Sequence, residues 1–363
     1  MPRKNEAIWI ESRQRWQINV QDDGERKTFT NSTPGTKGKI AAEKAADKWI
    51  ENHQGKDVRF ERLWSLYLTD IKDRTSAENY RKNETIARIW ITPTIGKKKV
   101  SSITSADLQA CINRAYKKGK SYRTCVNIRA CISSAYTFAR KSRYPMEAPF
   151  GLEIPRSAPK GEKNILQPDD LKRLFSVSTI TLYGREKECH YISAWRFIVL
   201  TGMRSGEACG LQWRDIKDYI CSINRAVNAG REITAGKTSS AKRYIVLTTR
   251  MLSVLDQQRE YLKKIGVVSK WVFPDACGGM SDPCMIYNQW KSYRRQHEII
   301  SSVHEMRHTM ISIAKADVPE QLLKLMVGHT KSMDTFGVYG HEVEGEMLRA
   351  SQLLGQAFDK ILE

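Results

Sequence analysis

The sequence predicts a mainly α-helical protein with small β elements, an α+β fold. Three observations support this class: apolar residues recur at helical spacing through most of the chain after residue 56, short aromatic and β-branched segments stand near the N-terminus, and one β-rich stretch, "YICSINRAV" through "KRYIVL", interrupts the helical second half. These elements divide the chain into four regions: 1–55, 56–143, 144–165 and 166–363.

The first region, residues 1–55, predicts a three-stranded sheet followed by one helix. The strands are "AIWIES", "RWQINVQ" and "KTFTNS", separated by polar turns that include Asp23-Gly24, and the helix is "KGKIAAEKAADKWIENH". Basic side chains are frequent here: Arg3, Lys4, Arg13, Arg15, Arg26 and Lys27. We expect a DNA-reading module, and the alternative is a solvated basic extension that packs on its neighbour.

The second region, residues 56–143, predicts a helical domain. One apolar stripe at helical spacing consists of Phe60, Leu63, Trp64, Tyr67, Leu68 and Ile71. In "TSADLQACINRAYKKG", Thr104 and Asp107 have the spacing of a capping box, and Gly119 stands where a helix terminator belongs. A further basic helix, "SYRTCVNIRACISSAYTFARKSR", follows.

A stretch with four prolines and little periodicity, "YPMEAPFGLEIPRSAPKGEKN", predicts an extended linker over residues 144–165. The last region, residues 166–363, predicts a mostly helical domain with a β-hairpin insertion and a C-terminal tail. It opens with Pro168 at a helix start, followed by Asp169 and Asp170, whose charges complement the helix dipole.

The composition favours a polyanionic partner. The chain has 60 Lys and Arg against 40 Asp and Glu, a formal net charge of +20, and nucleic acid is the first candidate because neutralised phosphates release counterions. No run approaches the roughly 20 apolar residues of a membrane span, so we expect a cytoplasmic protein with no membrane partner. Eight cysteines without a CxxC pair predict reduced thiols, most of them half-buried, and no metal site.

The stretch "LTGMRSGEACGLQWRDI" places Arg204 between glycines. Gly202 and Gly206 allow close backbone approach and leave the guanidinium unobstructed. The planar fork of a guanidinium suits two phosphate oxygens. The alternative is an arginine that pairs with Glu207 at a helix start, and this stretch alone leaves both interpretations open.

The stretch "SSVHEMRHTMISIAKAD" places His304, Arg307 and His308 at helical i, i+3, i+4 spacing, so that all three project from one face. A metal site is unconvincing here, because arginine is not a ligand and no carboxylate completes the set.

The stretch "VPEQLLKLMVGHTKSMDTFGVYGH" predicts a helix with Pro319 near its first turn and Gly328 as its left-handed terminator, then a second short helix. It contains two polar groups that a core does not require, His329 and Tyr339. Helix, glycine turn and helix is also the outline of a helix-turn-helix DNA reader. A non-enzymatic DNA-binding regulator is therefore the competing hypothesis.

Together these stretches resemble the tyrosine recombinase (phage integrase) family. "TGMRSGE" resembles its first arginine box, "HEMRH" its His-x-x-Arg box, "MVGH" its Gly-His box and "TFGVYGH" its nucleophile box, in matching order over about residues 165 to 345. Glu305 stands where an aspartate is usual, and Met326-Val327 replace a leucine pair. In "REITAGKTSSAKRYIVL", Lys237 resembles the family's hairpin lysine, with Lys242 as a competitor.

The resemblance implies a catalytic set that needs no cofactor and no metal: Arg204, Lys237, His304, Arg307, His329 and Tyr339. The two arginines would clamp the non-bridging phosphate oxygens, and His329 would add a hydrogen bond there. Tyr339 would attack phosphorus to form a 3′-phosphotyrosine, which stores the bond energy for rejoining. By resemblance, His304 would accept the phenolic proton, and Lys237 would protonate the departing 5′ oxygen.

The resemblance also bears on the subtype. Chromosome-dimer resolving recombinases and type IB topoisomerases share this chemistry, but integrases of phages and conjugative elements often have a β-rich N-terminal module. We therefore expect an integrase that inserts and excises a mobile element. By the same resemblance, residues 1–55 would be an arm-type DNA-binding domain and residues 56–143 a helical core-binding domain. The implied partners are double-stranded DNA with core-type and arm-type sites, a homotetramer on a Holliday junction, an excision factor and a host DNA-bending protein. The C-terminal helix would dock on a neighbouring subunit or on its own domain.

Overall fold

The computed structural model describes residues 6–22, 25–54, 57–234, 242–328 and 345–363. The chain forms two compact units, Met1–Gly161 and Glu162–Glu363. Helices dominate both units and the sheets are small and antiparallel, so the predicted α+β class is confirmed. The finer division into four regions stays a prediction.

The first unit begins with the predicted three-stranded sheet and helix. β1 (Ile8–Ile10), β2 (Arg15–Asp22) and β3 (Glu25–Asn31) pair antiparallel in the order β1-β2-β3, and α1 (Thr36–Gln54) follows. Since alternate residues of a strand share a face, Trp16, Ile18 and Val20 lie together, and Ile18 is buried with small side chains of α1. This is a separate small core.

The rest of the first unit is helical and has its own hydrophobic core. Its helices are α2 (Phe60–Lys72), α3 (Ala77–Ile86), α4 (Thr92–Ile95), α5 (Ser105–Lys117) and α6 (Tyr122–Lys141), with a π-helical turn, Ala87–Ile91, between α3 and α4. Five of the six residues in the predicted stripe of α2 are buried, and Leu68 is half-buried. The predicted capping box of Thr104 and Asp107 is present, and Gly119 ends α5 with φ +66°.

The residues after α6 form neither helix nor strand until residue 168. Their first part still packs on the helical core of the first unit: Met146 is buried, and Leu152 and Ile154 are half-buried against it. This part of the predicted linker therefore has no helix or strand, and it packs against the first unit.

The second unit contains eight described helices. They are α7 (Pro168–Ser176), α8 (Ile192–Thr201), α9 (Ser205–Cys209), α10 (Thr249–Lys264), α11 (Pro283–Gln296), α12 (Val303–Ala314), α13 (Glu320–Val327) and α14 (Glu346–Leu362). Every residue of α8 is buried, which suits its predominantly apolar sequence "ISAWRFIVLT" and makes it a central helix of this core. α10 and α12 pack against it.

Three small sheets accompany these helices. β6 (Ile216–Lys217), β7 (Ile220–Ile223) and β10 (Arg243–Val246) form one in the order β10-β7-β6, and β8 (Ala226–Val227) pairs with β9 (Ile233–Thr234). The third is a hairpin between α7 and α8, β4 (Thr179–Leu182) with β5 (Arg185–Glu188).

The prediction of a single β-rich interruption in this domain is wrong, because the hairpin β4–β5 is a second one. Tyr183 and Gly184 form its two-residue turn, with φ +52° and +72°. Positive φ at both turn residues matches the right-handed twist of a tight hairpin, and the β-branched "TIT" of β4 favours a strand.

The C-terminal helix α14 packs on its own unit. Met347, Ala350, Leu354 and Phe358 are buried, and α14 contacts α7, α12 and α13. Docking of this helix on a neighbouring subunit stays a prediction. Among the described residues, no helix is long and apolar enough to cross a membrane.

Candidate active site

Arg204 lies in the sharp connection between α8 and α9. Gly202 ends α8 with φ +65°, and a Cβ there would stand 2.4 Å from Cε of Met310 on α12. A Cβ at Gly206 would stand 2.5 Å from the carbonyl oxygen of Val227. Both glycines therefore permit close packing around Arg204, as the sequence predicts.

Arg204 also forms the predicted pair with Glu207. Its Nη1 donates to Oε1 of Glu207 at 2.9 Å, and its backbone N–H donates to Oε2 at 2.9 Å, which holds the first turn of α9. The side chain of Arg204 nevertheless remains 44% exposed. The ion pair orients the guanidinium without covering it, so the pairing and phosphate-binding interpretations are compatible.

Arg307 is held differently, by backbone carbonyl groups. On α12 it is only 4% exposed, Nη1 donates to the carbonyl oxygen of Gly202 at 2.7 Å, and Nη2 donates to that of Val327. Neutral acceptors leave the full positive charge in place. Arg307 thus joins the end of α8, through Gly202, to the end of α13.

The pKa of Arg307 is lowered to about 10. Burial is the main cause, the positive charges of Arg204 and Arg243 act in the same direction, and Glu207 opposes them. At neutral pH the guanidinium is still protonated. A buried cation repelled by two others would be stabilised by an incoming anion, which is what a phosphate-binding site requires.

Glu207 lies at the centre of this group and is shared by two arginines. Arg243, the first residue of β10, donates from Nη1 to Oε1 at 3.0 Å and from Nη2 to Oε2 at 2.8 Å. Burial by itself raises the pKa of Glu207, but the hydrogen bonds and charge of Arg243, followed by those of Arg204, hold the pKa below its usual value. We call Arg204, Arg243 and Arg307 around Glu207 the arginine cluster.

The arginine cluster has a clear excess of positive charge, three guanidinium groups against one carboxylate. A phosphodiester carries a single negative charge, and attack on it builds further negative charge on the non-bridging oxygens. Fixed cations stabilise such a transition state without reorganising. The cluster is therefore suited to phosphoryl transfer.

His304 and His308 lie one turn apart on α12, and His308 directly follows Arg307 in the sequence. His304 is exposed near the start of the helix, and its ring meets that of His308 edge-on, with centroids 5.3 Å apart. Burial lowers the pKa of His308, as do the charges of Lys163, His304 and Arg307, while Glu305 opposes them. Exposure leaves His304 accessible to a substrate.

Glu305 fixes the start of α12. Its carboxylate accepts the backbone N–H groups of Ser302 at 2.6 Å and Asn164 at 3.0 Å, and nearby Thr309 accepts the N–H of Leu166 at 2.9 Å. Burial tends to raise the pKa of Glu305, but these backbone hydrogen bonds lower it. The first residues of the second unit are thereby attached to the helix of His304 and Arg307.

Three predicted site residues, Lys237, His329 and Tyr339, lie outside the described residues, as does the second short helix predicted after Gly328. Their roles stay predictions. Gly328 is described and ends α13 with φ +64°, which confirms it as the left-handed terminator before His329. Lys242, the competitor of Lys237, is exposed, and the choice between these two lysines stays open.

Sequence reasoning missed Arg243 and considered Glu207 only as a partner of Arg204. Arg243 directly follows Lys242 and opens an apolar strand, "RYIVL". An arginine at the start of a half-buried strand suggests a buried ion pair. The sequence does not show which carboxylate forms that pair.

The predictions about the cysteines and about metal binding can be compared with the described residues. All eight thiols are free; six are buried and two, Cys277 and Cys284, are exposed, so burial is deeper than predicted. Burial raises the pKa of Cys111 to about 11, as expected for an unreactive thiol. No group of three or more potential metal ligands occurs in the part of the chain that the structure describes.

Comparison with known proteins identifies the family. The phage integrase family model matches residues 164–346, and the model of the phage integrase N-terminal SAM-like domain matches residues 59–116. A tyrosine recombinase XerC-like protein of Caldanaerobacter subterraneus subsp. tengcongensis is 22% identical over 72% of this chain and 73% of its own length.

Two solved structures share the fold. The Tn1549 transposon integrase in complex with transposon right end DNA has a TM-score of 0.63 at 20% identity, over 82% of this chain and 100% of that one. A lambda integrase tetramer bound to a Holliday junction has a TM-score of 0.60 at 15% identity, over 93% of this chain and 98% of that one. With the family match spanning Arg204 through Tyr339, the chain belongs to the phage integrase family, the tyrosine recombinases that break and rejoin DNA.

Proposed function

We propose that this protein is an integrase that inserts a mobile element into host DNA and excises it again through a covalent 3′-phosphotyrosine intermediate. The observation that carries the proposal is the arginine cluster. A half-exposed Arg204 near a buried, protonated Arg307 forms a cationic site that an anion can reach at Arg204.

In the proposed cleavage step, the phenolic oxygen of Tyr339 attacks the scissile phosphorus. The bond between phosphorus and the 5′ oxygen breaks, and phosphorus becomes joined to Tyr339 on the 3′ side. His304 takes the phenolic proton and Lys237 supplies a proton to the departing 5′ oxygen. The number of phosphoester bonds is unchanged, so the reverse attack by a 5′ hydroxyl needs no ATP.

The cations have a separate task in this step. Arg204 and Arg307 bind the non-bridging oxygens, with His329 adding a hydrogen bond, as negative charge accumulates in the transition state. Because both guanidinium groups are already held in place by Glu207 and by carbonyl groups, little reorganisation accompanies charge development.

The proposed assembly is a homotetramer on two DNA duplexes that passes through a Holliday junction, inside a host bacterial cell. The lambda integrase tetramer supports this, since its fold extends over most of this chain. We further propose that the N-terminal sheet binds arm-type sites, because Arg13, Arg26 and Lys27 are exposed on it or beside it. An excision factor and a host DNA-bending protein would set the direction of the reaction.

The test is trapping of the covalent adduct. The substrate is a duplex that contains the junction between element and host DNA and has a nick next to the cleavage position. After cleavage, the short fragment with the free 5′ hydroxyl diffuses away and cannot rejoin. Wild-type protein should give a shifted band on denaturing electrophoresis, and Tyr339→Phe should bind the duplex with unchanged Kd but give no band. Tyr183→Phe is the matched control: Tyr183 is 98% exposed, lies on the hairpin β4–β5 and should leave adduct formation unchanged.

Two outcomes would contradict the proposal. A band from Tyr339→Phe would mean that another nucleophile acts, and no band from wild-type protein under tight binding would favour the helix-turn-helix regulator. The subtype is tested by strand exchange between two separate duplexes. Relaxation of supercoiled DNA without such exchange would indicate a type IB topoisomerase-like activity instead.

A further inference from the structure

We infer that Arg243 is a positioning residue for DNA cleavage, which aims Arg204 through Glu207 and joins three elements of the site. This inference rests on the proposed function, because the step it affects is the attack on the scissile phosphate. Arg243 itself is only 6% exposed, so its guanidinium acts on protein groups.

Arg243 and Arg204 share the carboxylate of Glu207. Arg243 contacts both carboxylate oxygens in a bidentate pair, at 3.0 and 2.8 Å, and Oε1 also accepts from Nη1 of Arg204 at 2.9 Å. One carboxylate therefore divides its charge between a buried arginine and an exposed one. The buried partner holds the carboxylate in a single orientation, and that orientation sets the direction of Arg204.

Arg243 also contacts the last turn of α13. Nε of Arg243 donates to the carbonyl oxygen of Met326 at 2.7 Å, and the next carbonyl, that of Val327, accepts from Arg307. Two arginines thus bind consecutive carbonyls in the last turn of one helix, where the helix dipole favours cations. Gly328 ends this helix immediately afterwards and His329 follows in the sequence.

The strand that carries Arg243 is held in place by pairing and burial. Arg243 pairs with Ile223 of β7, and Ile245 of the same strand is fully buried. Lys237 precedes this strand closely in the sequence. Arg243 therefore connects β10 directly to α9 and α13, and α9 carries the group that orients Arg204.

Loss of Arg243 would disturb Arg204 through Glu207. A buried carboxylate with one cation in place of two would pair more fully with Arg204 or become protonated, since burial alone raises the pKa of Glu207. In the first case Arg204 is drawn away from the phosphate, and in the second it loses its orienting partner. Both cases slow cleavage without removing the groups that bind DNA.

The experiment measures Kd for the nicked duplex and the single-turnover rate of adduct formation with saturating protein. Arg243→Gln should cleave about 10²-fold more slowly, while Kd changes by less than about threefold. Removing one hydrogen-bond donor to a transition state causes a similar loss of rate. Arg243→Lys keeps the charge but not the fork, so it should recover part of the rate. A rate equal to wild type in Arg243→Gln overturns the inference.

A double-mutant cycle separates positioning from general support of the fold. Glu207→Gln alone should also slow cleavage, and Glu207→Gln combined with Arg243→Gln should be no slower than the slower of the two single variants, within about threefold, because both changes act through the carboxylate that orients Arg204. Losses that multiply, or a wild-type rate for Glu207→Gln, would show that Arg243 does not act through Glu207.

Arg225→Gln is the matched control. Arg225 is also mostly buried and forms a two-pronged pair with Asp215 plus a bond to the carbonyl of Gly210, but it takes no part in the arginine cluster. Arg225→Gln should lower the melting temperature, but the folded variant should cleave at the wild-type rate. A loss of cleavage rate equal to that of Arg243→Gln overturns the inference. If Arg243→Gln does not fold, Arg243→Lys decides: the inference requires at least about tenfold slower cleavage.

The failure of this inference is distinguishable from that of the proposed function. If wild-type protein forms no adduct that depends on Tyr339, the proposed function fails. If it does form this adduct and the Arg243 variants cleave at its rate, only the positioning role fails.

Discussion

The turn between α8 and α9 and the helix α12 each supply one guanidinium to the arginine cluster, and they hold it in opposite ways. Arg204 pairs with a carboxylate and stays 44% exposed, whereas Arg307 is 4% exposed and bound by two carbonyl oxygens. A carboxylate partner reduces the local charge, and carbonyl partners do not. Arg204 therefore offers an accessible guanidinium, and Arg307 adds an undiminished positive charge at the phosphate that both are proposed to bind.

The comparison predicts that the two arginines fail differently when replaced. Arg307→Ala should slow cleavage by about 10³-fold and lower the free energy of unfolding by about 1–3 kcal/mol, because it removes a clamp and leaves two buried carbonyls unpaired. Adduct formation and chemical denaturation measure the two effects. Cleavage within tenfold of wild type would mean that Arg307 is only structural.

Arg204→Lys should lose activity without losing stability. Cleavage should fall by about 10²-fold, because a point charge cannot reproduce a bidentate clamp, and the melting temperature should be nearly unchanged because the side chain is half-exposed.

The control for this change is Arg259→Lys. Arg259 is also exposed and pairs with a carboxylate one turn away, Asp256, at 3.1 Å. It lies on α10, outside the arginine cluster, and should cleave normally. Equal activity of the Arg204 and Arg259 variants would remove Arg204 from the phosphate site.

Gly202→Ala tests the joint between the two regions, since Gly202 ends α8 and its carbonyl binds Arg307. Strain at positive φ should cost about 1–2 kcal/mol. An added Cβ would also stand 2.4 Å from Cε of Met310, the end of a flexible side chain, so displacing that side chain should add only about 1 kcal/mol. Gly266→Ala is the control, because Gly266 has φ +69° with no atom within 4 Å of an added Cβ. Equal unfolding free energies of the two variants would show that the close approach to α12 has no energetic weight.

The smallest expected effect is on the pH dependence of stability. The pKa of His308 is lowered in the folded protein, by burial first and then by neighbouring cations, so the unfolded chain binds more protons as the pH falls below about 6.5. The folded state should therefore lose stability from about pH 6.5 downwards, until His308 also protonates in the folded protein. Denaturation of wild type and His308→Gln between pH 7 and 5 should show a shallower decline for the variant, and parallel curves would contradict this assignment.

Local sequence patterns predicted most of the helices because their physics is local. The capping box of Thr104 and Asp107, the positive φ of Gly119 and Gly328, and the start of α7 at Pro168 each depend on groups within one helical turn. The hairpin β4–β5 was missed because its strands are four residues long and their exposure leaves a weak apolar pattern.

The helical architecture, the basic character and the order of Arg204, His304, Arg307 and Tyr339 along the chain follow from local sequence patterns. How the arginines are held follows from packing: Gly202 O and Val327 O bind Arg307, and Glu207, shared with Arg243, binds Arg204. The difference lies in distance along the chain. Spacing within a helix shows which side chains share a face, but the partners of a buried charge come from elements far apart in sequence, and the packing of the core selects them.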